Sequence, residues 1–358
     1  MPRRLATSAF LCLFVAALIA AGCGSSDSST SGGGTAASKP APPKSAFPKT
    51  EGRTLREIVK AADSHSELVV SPAALAFYKG ENRYPFGVFH ADRSQVDDAK
   101  VALYVARVPH VEPNGEEAPG NGKKKGAVAR ARTEALEQPA KGPYPAAIES
   151  LATEPAYRAQ TTASDPNAAT IVYTTDVDFP SNGEWRVAAL IKQGNETAAT
   201  LLPSASVGEF KGVPKVGEKA PTIHTPTPAD VGGDLSKITT RIPPDTQNRV
   251  DYADVLGKEP ILLLFATPQF CQSRVCGPVV DVAEQVKDQF DDKAAFIHME
   301  IYNDNDPSKG VRPQVRAFHL PSEPWLFAIN RKGVVQAVVE GAFGVERMTK
   351  IVEKVTGE

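Results

Sequence analysis

"ILLLFATPQFCQSRVCGPVVDVAEQVKDQF" (residues 261–290) joins five unbroken apolar residues to a cysteine pair and then to a helical pattern. The run Ile261 to Phe265 fits a strand buried on both faces. After Cys276, Val279, Val282, Ala283, Val286 and Phe290 recur at the spacing of one helix face. Pro278 suits the first helical turn, where an N–H has no intrahelical partner. Cys276 or Gly277 then falls near the N-cap, with Cys271 in the loop before it. Residues five apart in a continuous helix are too distant for a disulfide, whose Cα atoms lie within about 7 Å. Pairing Cys271 with Cys276 therefore requires Cys271 to stay outside the helix, or the first turn to unwind. A thiolate at this junction is favoured by the unpaired N–H groups of the helix start. Arg274, between the cysteines, adds a positive charge.

Strands and helices continue on the C-terminal side. "AAFIHMEIY" reads as a strand. "PWLFAIN", "RKG" and "VVQAVVEGA" read as a hairpin, and "VERMTKIVEKV" as a helix with Val345, Met348, Val352 and Val355 on one side. The whole chain has 358 residues, enough for about two domains. Its 40 basic and 42 acidic residues nearly cancel, which gives no reason to expect a nucleic-acid partner. Thirty prolines and 27 glycines imply long loops or linkers.

Residues 1–23 read as an export signal. Arg3 and Arg4 precede an apolar run that is too short for an ordinary membrane span, and the run closes in "LIAAGC". That ending resembles the bacterial lipobox, with Ala20 where the motif usually has Leu. The resemblance implies acylation of Cys23 and a chain held on the extracytoplasmic side of a membrane by lipid. Residues 24–50 are rich in Ser, Gly and Pro and read as a disordered tether of roughly 25 Å. Cys12 leaves with the leader and Cys23 carries lipid, so one pair remains, Cys271 and Cys276, in a disulfide-permissive compartment.

Residues 51–207 carry mostly β signals. "TLREIVKAA" suggests a short helix; "SELVV", "NRYPFGVFHA", "AKVALYVARV", "ATIVYTTDVDF" and "EWRVAALIKQG" suggest strands. In the last, Trp185, Val187, Ala189 and Ile191 alternate with Arg186, Ala188 and Leu190, the period of a half-buried strand. Trp185 reads as a core residue. The layout resembles bacterial immunoglobulin-like β-sandwiches, without their disulfide. A polar, basic insert at 112–143 reads as a solvated, flexible loop.

Residues 208–358 are similar to the thioredoxin-like superfamily, nearest its membrane-tethered redoxins of the cytochrome-maturation type. The similarity rests on "KVGEKAP", "DVLGKEPILLLFATPQFC" and "PWLFAINRKGVVQAVVEGA". It implies an α/β domain and an extracytoplasmic thiol–disulfide oxidoreductase without cofactor, acting on cell-envelope proteins that carry thiols or disulfides. Cys271 is then the more exposed, attacking thiol and Cys276 the resolving one, although the reverse assignment stays open. Pro324 matches the family's cis-proline, and Glu323 precedes it. Four residues stand between the cysteines where the family has two, and the family's buried acid is missing from Leu262 to Leu264. One peroxiredoxin subgroup shares the four-residue spacing, but it needs a Thr where Pro268 stands; Thr267 is one place off. Copper chaperones of the Sco type offer an alternative in which Cys271, Cys276 and either His298 or His319 bind Cu(I). A structural disulfide in a binding scaffold is a third reading. Its six-residue loop removes little chain entropy, so it would add little stability.

Overall fold

The alternating apolar residues of the first two hundred positions do form strands, but more of them than their pattern announces. A computed structural model describes residues 37–65, 67–110, 121–271 and 273–357. The first part runs α1 (Leu55–Lys60), β1 (Ser64–His65), β2 (Val69–Pro72), β3 (Gly80–Phe89), β4 (Lys100–Arg107) and α2 (Asn121–Glu134). It continues through β5 (Lys141–Pro145), β6 (Ala147–Ser150), α3 (Gln160–Ala163), β7 (Ile171–Phe179), β8 (Gly183–Gln193) and β9 (Glu196–Val207). The second part runs α4 (Tyr252–Val255), β10 (Ile261–Phe265), α5 (Cys276–Phe290), β11 (Ala295–Met299), α6 (Pro313–Ala317), β12 (Trp325–Ile329), β13 (Val335–Glu340) and α7 (Val345–Thr356).

Three sheets result, ordered β1-β9-β8-β4-β5, β2-β3-β7-β6 and β11-β10-β12-β13. The first two share one core. Phe86, Val88, Tyr173 and Phe179 from one meet Leu103, Val105, Trp185 and Val187 from the other. Trp185 is buried there, and its indole N–H donates to the Ser181 carbonyl at 3.0 Å. The outer face of β8 is also covered: Ala188 and Leu190 pack under Leu55 and Ile58 of α1, together with Phe47. The half-buried reading of β8 therefore misses a layer. α1 itself starts at a capping box, in which the Thr54 side chain accepts from the Glu57 N–H and Glu57 accepts from the Thr54 N–H.

Two readings outside the strands also change. Residues 38–50, expected to belong to the tether, lie along the first part: Lys39 and Ile148 exchange backbone hydrogen bonds, and Phe47 is buried. The 112–143 insert holds α2, whose Lys, Ala and Arg are good helix formers. The leader and Cys23 lie outside the described residues.

The expected fold class is corrected. The nine strands of the first two sheets pack as two antiparallel layers, to which β1 adds a parallel pairing with β9 and α1 a cover over one outer face. The third sheet is not an α/β layer with helices on both faces. One face carries α5 and α7. The other is closed by Val213, Ile223, Tyr252 and Phe318, from loops and helices of four and five residues. Among the described residues the three sheets outweigh the helices, of which only α2, α5 and α7 exceed six residues. The resemblance in "ILLLF" and "PWLFAIN" reported buried strands correctly; the covering elements do not have the helical content it implied.

In the third sheet β10 pairs parallel with β11 and antiparallel with β12. All five residues of β10 are buried, with Leu262 and Leu264 facing α5 and α7, and Ile261, Leu263 and Phe265 facing the loops.

Candidate functional site

The site grows from the end of β10. Ala266 and Thr267 are buried; the backbone then passes through Pro268, Gln269 and Phe270 to the partly buried Cys271. α5 begins at Cys276, so Pro278 is its third residue, still among the N–H positions that a helix leaves unpaired. Cys271 stays in the loop, and Cys271 and Cys276 are joined as a disulfide with Cα atoms 5.8 Å apart. Their environments differ. Cys276 has 0% exposure, inside the cluster formed by Val279, Val280 and Phe343. The Cys271 sulfur accepts from the backbone N–H of Cys276 at 3.3 Å and lies 3.2 Å from the Ser273 hydroxyl. A helix N–H aimed at the outer sulfur, together with the positive end of a 15-residue helix, favours negative charge there.

Neighbouring segments hold both ends of this loop. Before Cys271, the Gln269 backbone N–H donates to Thr240 Oγ1 at 3.2 Å, and its side-chain amide donates to the Thr240 carbonyl at 2.8 Å. Between the cysteines, Arg274 adopts the left-handed conformation, φ 60°. Its N–H reaches the Cys271 carbonyl at 3.4 Å, and its own carbonyl accepts from the Ala169 N–H at 3.1 Å.

Two segments that the sequence reading passed over form the setting. The connection from β6 to β7 lies along α5: the Ala159 N–H donates to Asp281, the Glu154 N–H to Gln285 and the Tyr157 hydroxyl to Asp288, at 3.1, 2.8 and 2.7 Å. The second segment spans Thr239 to Asn248. Its Arg241 is 2.9 Å from Asp281, the two side chains being 6% and 2% exposed, and it also donates to the Tyr157 and Pro243 carbonyls. Asp245 of the same segment pairs with His298 at 2.9 Å. Apart from a basic and an acidic residue standing in otherwise polar runs, neither segment carries a signal in the sequence, since neither has a period.

The other candidate residues fall in different places. His298 is buried in β11. Its Nδ1 faces Asp245 and its Nε2 faces the Ala266 carbonyl at 3.1 Å, so both nitrogens donate and neither lone pair is free for a metal. Burial works against protonation of this ring, but the Asp245 charge and hydrogen bond, Glu300 and the Ala266 carbonyl outweigh it and raise its pKa to about 9. Burial likewise opposes ionisation of Asp245, yet His298 and the hydrogen bonds from Thr239 and Gln247 hold its pKa down to about 2. His319 is exposed, in a left-handed conformation beside Gly212. Among the described residues no group of three or more His, Cys, Asp or Glu is placed to hold a metal ion. The Glu323–Pro324 peptide bond is cis. Phe265 pairs with Trp325, so the register brings Pro324 alongside Ala266, at the root of the cysteine loop. Phe270 meets Tyr302 edge-on at 6.4 Å on the rim of the loop. The Thr267 hydroxyl is buried without a hydrogen-bond partner and does not reach the sulfurs.

No protein-family model and no curated protein matches the chain. Among solved structures, it is similar to a DUF4784 family protein from Bacteroides caccae at 11% identity and a TM-score of 0.18. That match covers 42% of this chain and 26% of the other. No helix among the described residues is long and apolar enough to cross a membrane.

Proposed function

We propose that the protein is a thiol–disulfide exchange protein of the cell envelope, tethered by lipid on Cys23, with Cys271 as the attacking and Cys276 as the resolving sulfur. The observation that carries this reading is the asymmetry of the pair. One sulfur is partly accessible and receives a helix N–H; the other is the first residue of that helix and fully buried. A purely structural bridge has no need of such a difference.

In the reducing direction, the Cys271 thiolate attacks a substrate disulfide. A mixed disulfide forms, and one substrate sulfur leaves as thiolate and takes up a proton. Cys276, deprotonated, then attacks the Cys271 sulfur, the mixed disulfide breaks, and the second substrate thiol departs. The substrate gains two electrons and the pair is oxidised. The reverse sequence oxidises a substrate dithiol. The helix start acts in both directions by stabilising charge on Cys271, as attacking or as leaving thiolate.

The test is a redox titration of the full chain against glutathione and dithiothreitol. A potential between about −120 and −270 mV is expected, the span of known exchange proteins. A value below about −300 mV marks an inert structural bridge and overturns the reading. Single replacements then assign the roles. With oxidised glutathione, Cys276→Ser is expected to accumulate a one-to-one mixed disulfide. Cys271→Ser is expected to react at least tenfold more slowly, because its remaining sulfur is buried. Equal rates would refute the assignment.

A further inference from the structure

Arg274 invites explanation because the loop is held through its backbone, by hydrogen bonds at both its N–H and its carbonyl. Left-handed backbone at a non-glycine residue carries a steric penalty, a factor of about five to ten in population at the low end of the usual range. Here it is kept at φ 60°, between two cysteines that are closed on each other. That conformation turns the Arg274 carbonyl toward the Ala169 N–H, its partner at 3.1 Å. Ala169 is buried and precedes β7, so the partner comes from the first part of the chain and not from the cysteine-bearing elements. Gln269, gripped by Thr240, holds the opposite stem of the loop.

We propose that Arg274 is a positioning residue that tunes the cysteine pair through its backbone, and that its hydrogen bond to Ala169 passes the state of the pair to the β6–β7 connection. When the pair is closed, the six-residue loop keeps Arg274 left-handed. When the pair is reduced, the covalent tie is gone and only the Cys276 N–H hydrogen bond holds the Cys271 sulfur at the helix start, so the loop can lengthen and Arg274 returns to ordinary backbone conformations. Its carbonyl then leaves Ala169. The steric penalty is thus borne by the oxidised form alone, which makes the pair more oxidising than a loop with glycine at this place. Reduction itself is balanced by an external dithiol, which loses two electrons and two protons as the S–S bond breaks into two thiols. This proposal rests on the exchange reading, since a tuned potential serves a function only in a pair that cycles.

The experiment compares Arg274→Gly with Arg274→Ala. Both lose the guanidinium, and they differ mainly in their tolerance of positive φ. In titration against dithiothreitol, the Gly variant is expected to favour the oxidised form five- to tenfold over the Ala variant, about 20–30 mV lower in potential. Equal potentials would overturn the proposal. A second readout is hydrogen exchange at the Ala169 amide, expected to quicken at least tenfold on reduction of the unmodified protein. Unchanged protection would overturn the coupling. If the pair proves inert, with a potential below about −300 mV, the exchange reading falls; the Gly-to-Ala difference still reports whether φ at Arg274 is linked to closure of the pair.

Discussion

At His298 both ring nitrogens face oxygens that only accept, so the ring carries two protons in the folded chain. This makes a buried histidine a cation at neutral pH, held by the Asp245 carboxylate and the Ala266 carbonyl, and gives the fold a pH dependence of known sign. The folded pKa of His298, about 9, lies above its ordinary 6.5. Its contribution is therefore complete below pH 6.5 and is lost as pH rises through 9. Asp245 behaves oppositely: held near 2, it contributes fully above its ordinary 3.8 and loses that contribution as pH falls through 2. Urea unfolding is expected to show a plateau between these limits and a loss of roughly 2–4 kcal/mol between neutral and strongly alkaline pH. His298→Gln is expected to be less stable throughout and to lack the alkaline slope. A variant that kept the slope would place the titrating group elsewhere. The same geometry explains why the copper reading of His298 attracts no support: its lone pairs are already engaged inside the fold.

The helix α5 is the element on which the other parts converge, and Gly277 marks how closely they approach. A Cβ added at Gly277 would lie 2.9 Å from Thr162 Oγ1, on the β6–β7 connection. Such overpacking typically costs about 1–3 kcal/mol. Gly277→Ala is expected to destabilise by that amount, and Thr162→Ala in the same chain to recover at least half of it; additive losses in the double variant would refute the contact. This closeness was invisible in the sequence, where "GPVV" reads only as a helix start. What could be read were the elements with a period: β3, β7, β8 and the Val279, Val282, Val286 face of α5 all lie where alternation or helical spacing put them. β9 escaped notice because "ETAATLLPSASV" mixes small and polar residues with a proline, and its buried positions, Ala199, Leu202, Ala205 and Val207, do not keep a period of two. α2 escaped because triple lysine reads as a solvated loop, although lysine and alanine are both good helix formers. At the site, the disulfide and its placement at the mouth of a helix were legible, since two cysteines and a helical period are local signals. Arg241, Thr240 and Ala169 were not, because their roles depend on chain segments far apart in sequence being laid against α5.

Across the whole molecule, the joints between the third sheet and the first two are made of buried or half-buried polar groups. Glu340 at the end of β13 accepts from the Leu75 and Ala76 N–H groups at 2.7 and 2.9 Å. Arg83 of β3 donates to the carbonyls of Glu340 and Ala342. Glu149 of β6 receives the Gly344 N–H at 2.7 Å, at the start of α7, and both its oxygens face the Arg347 guanidinium at 2.9 and 3.1 Å. Removing one member of such a group strands the others away from water, which typically costs about 3–5 kcal/mol for a buried pair. The three sheets should therefore unfold together, and the chain supplies its own reporters. It has two tryptophans: Trp185 in the core of the first two sheets and Trp325 at the start of β12. Trp185→Phe and Trp325→Phe each leave one fluorophore, one for each part. Their urea midpoints are expected to agree once each variant's own stability change, taken from circular dichroism, is subtracted. Glu149→Ala is expected to lower both by the same free energy, about 2–4 kcal/mol once water has relaxed the gap. If the Trp325 signal moved to lower urea while the Trp185 signal stayed, the joint would be a contact between independent parts.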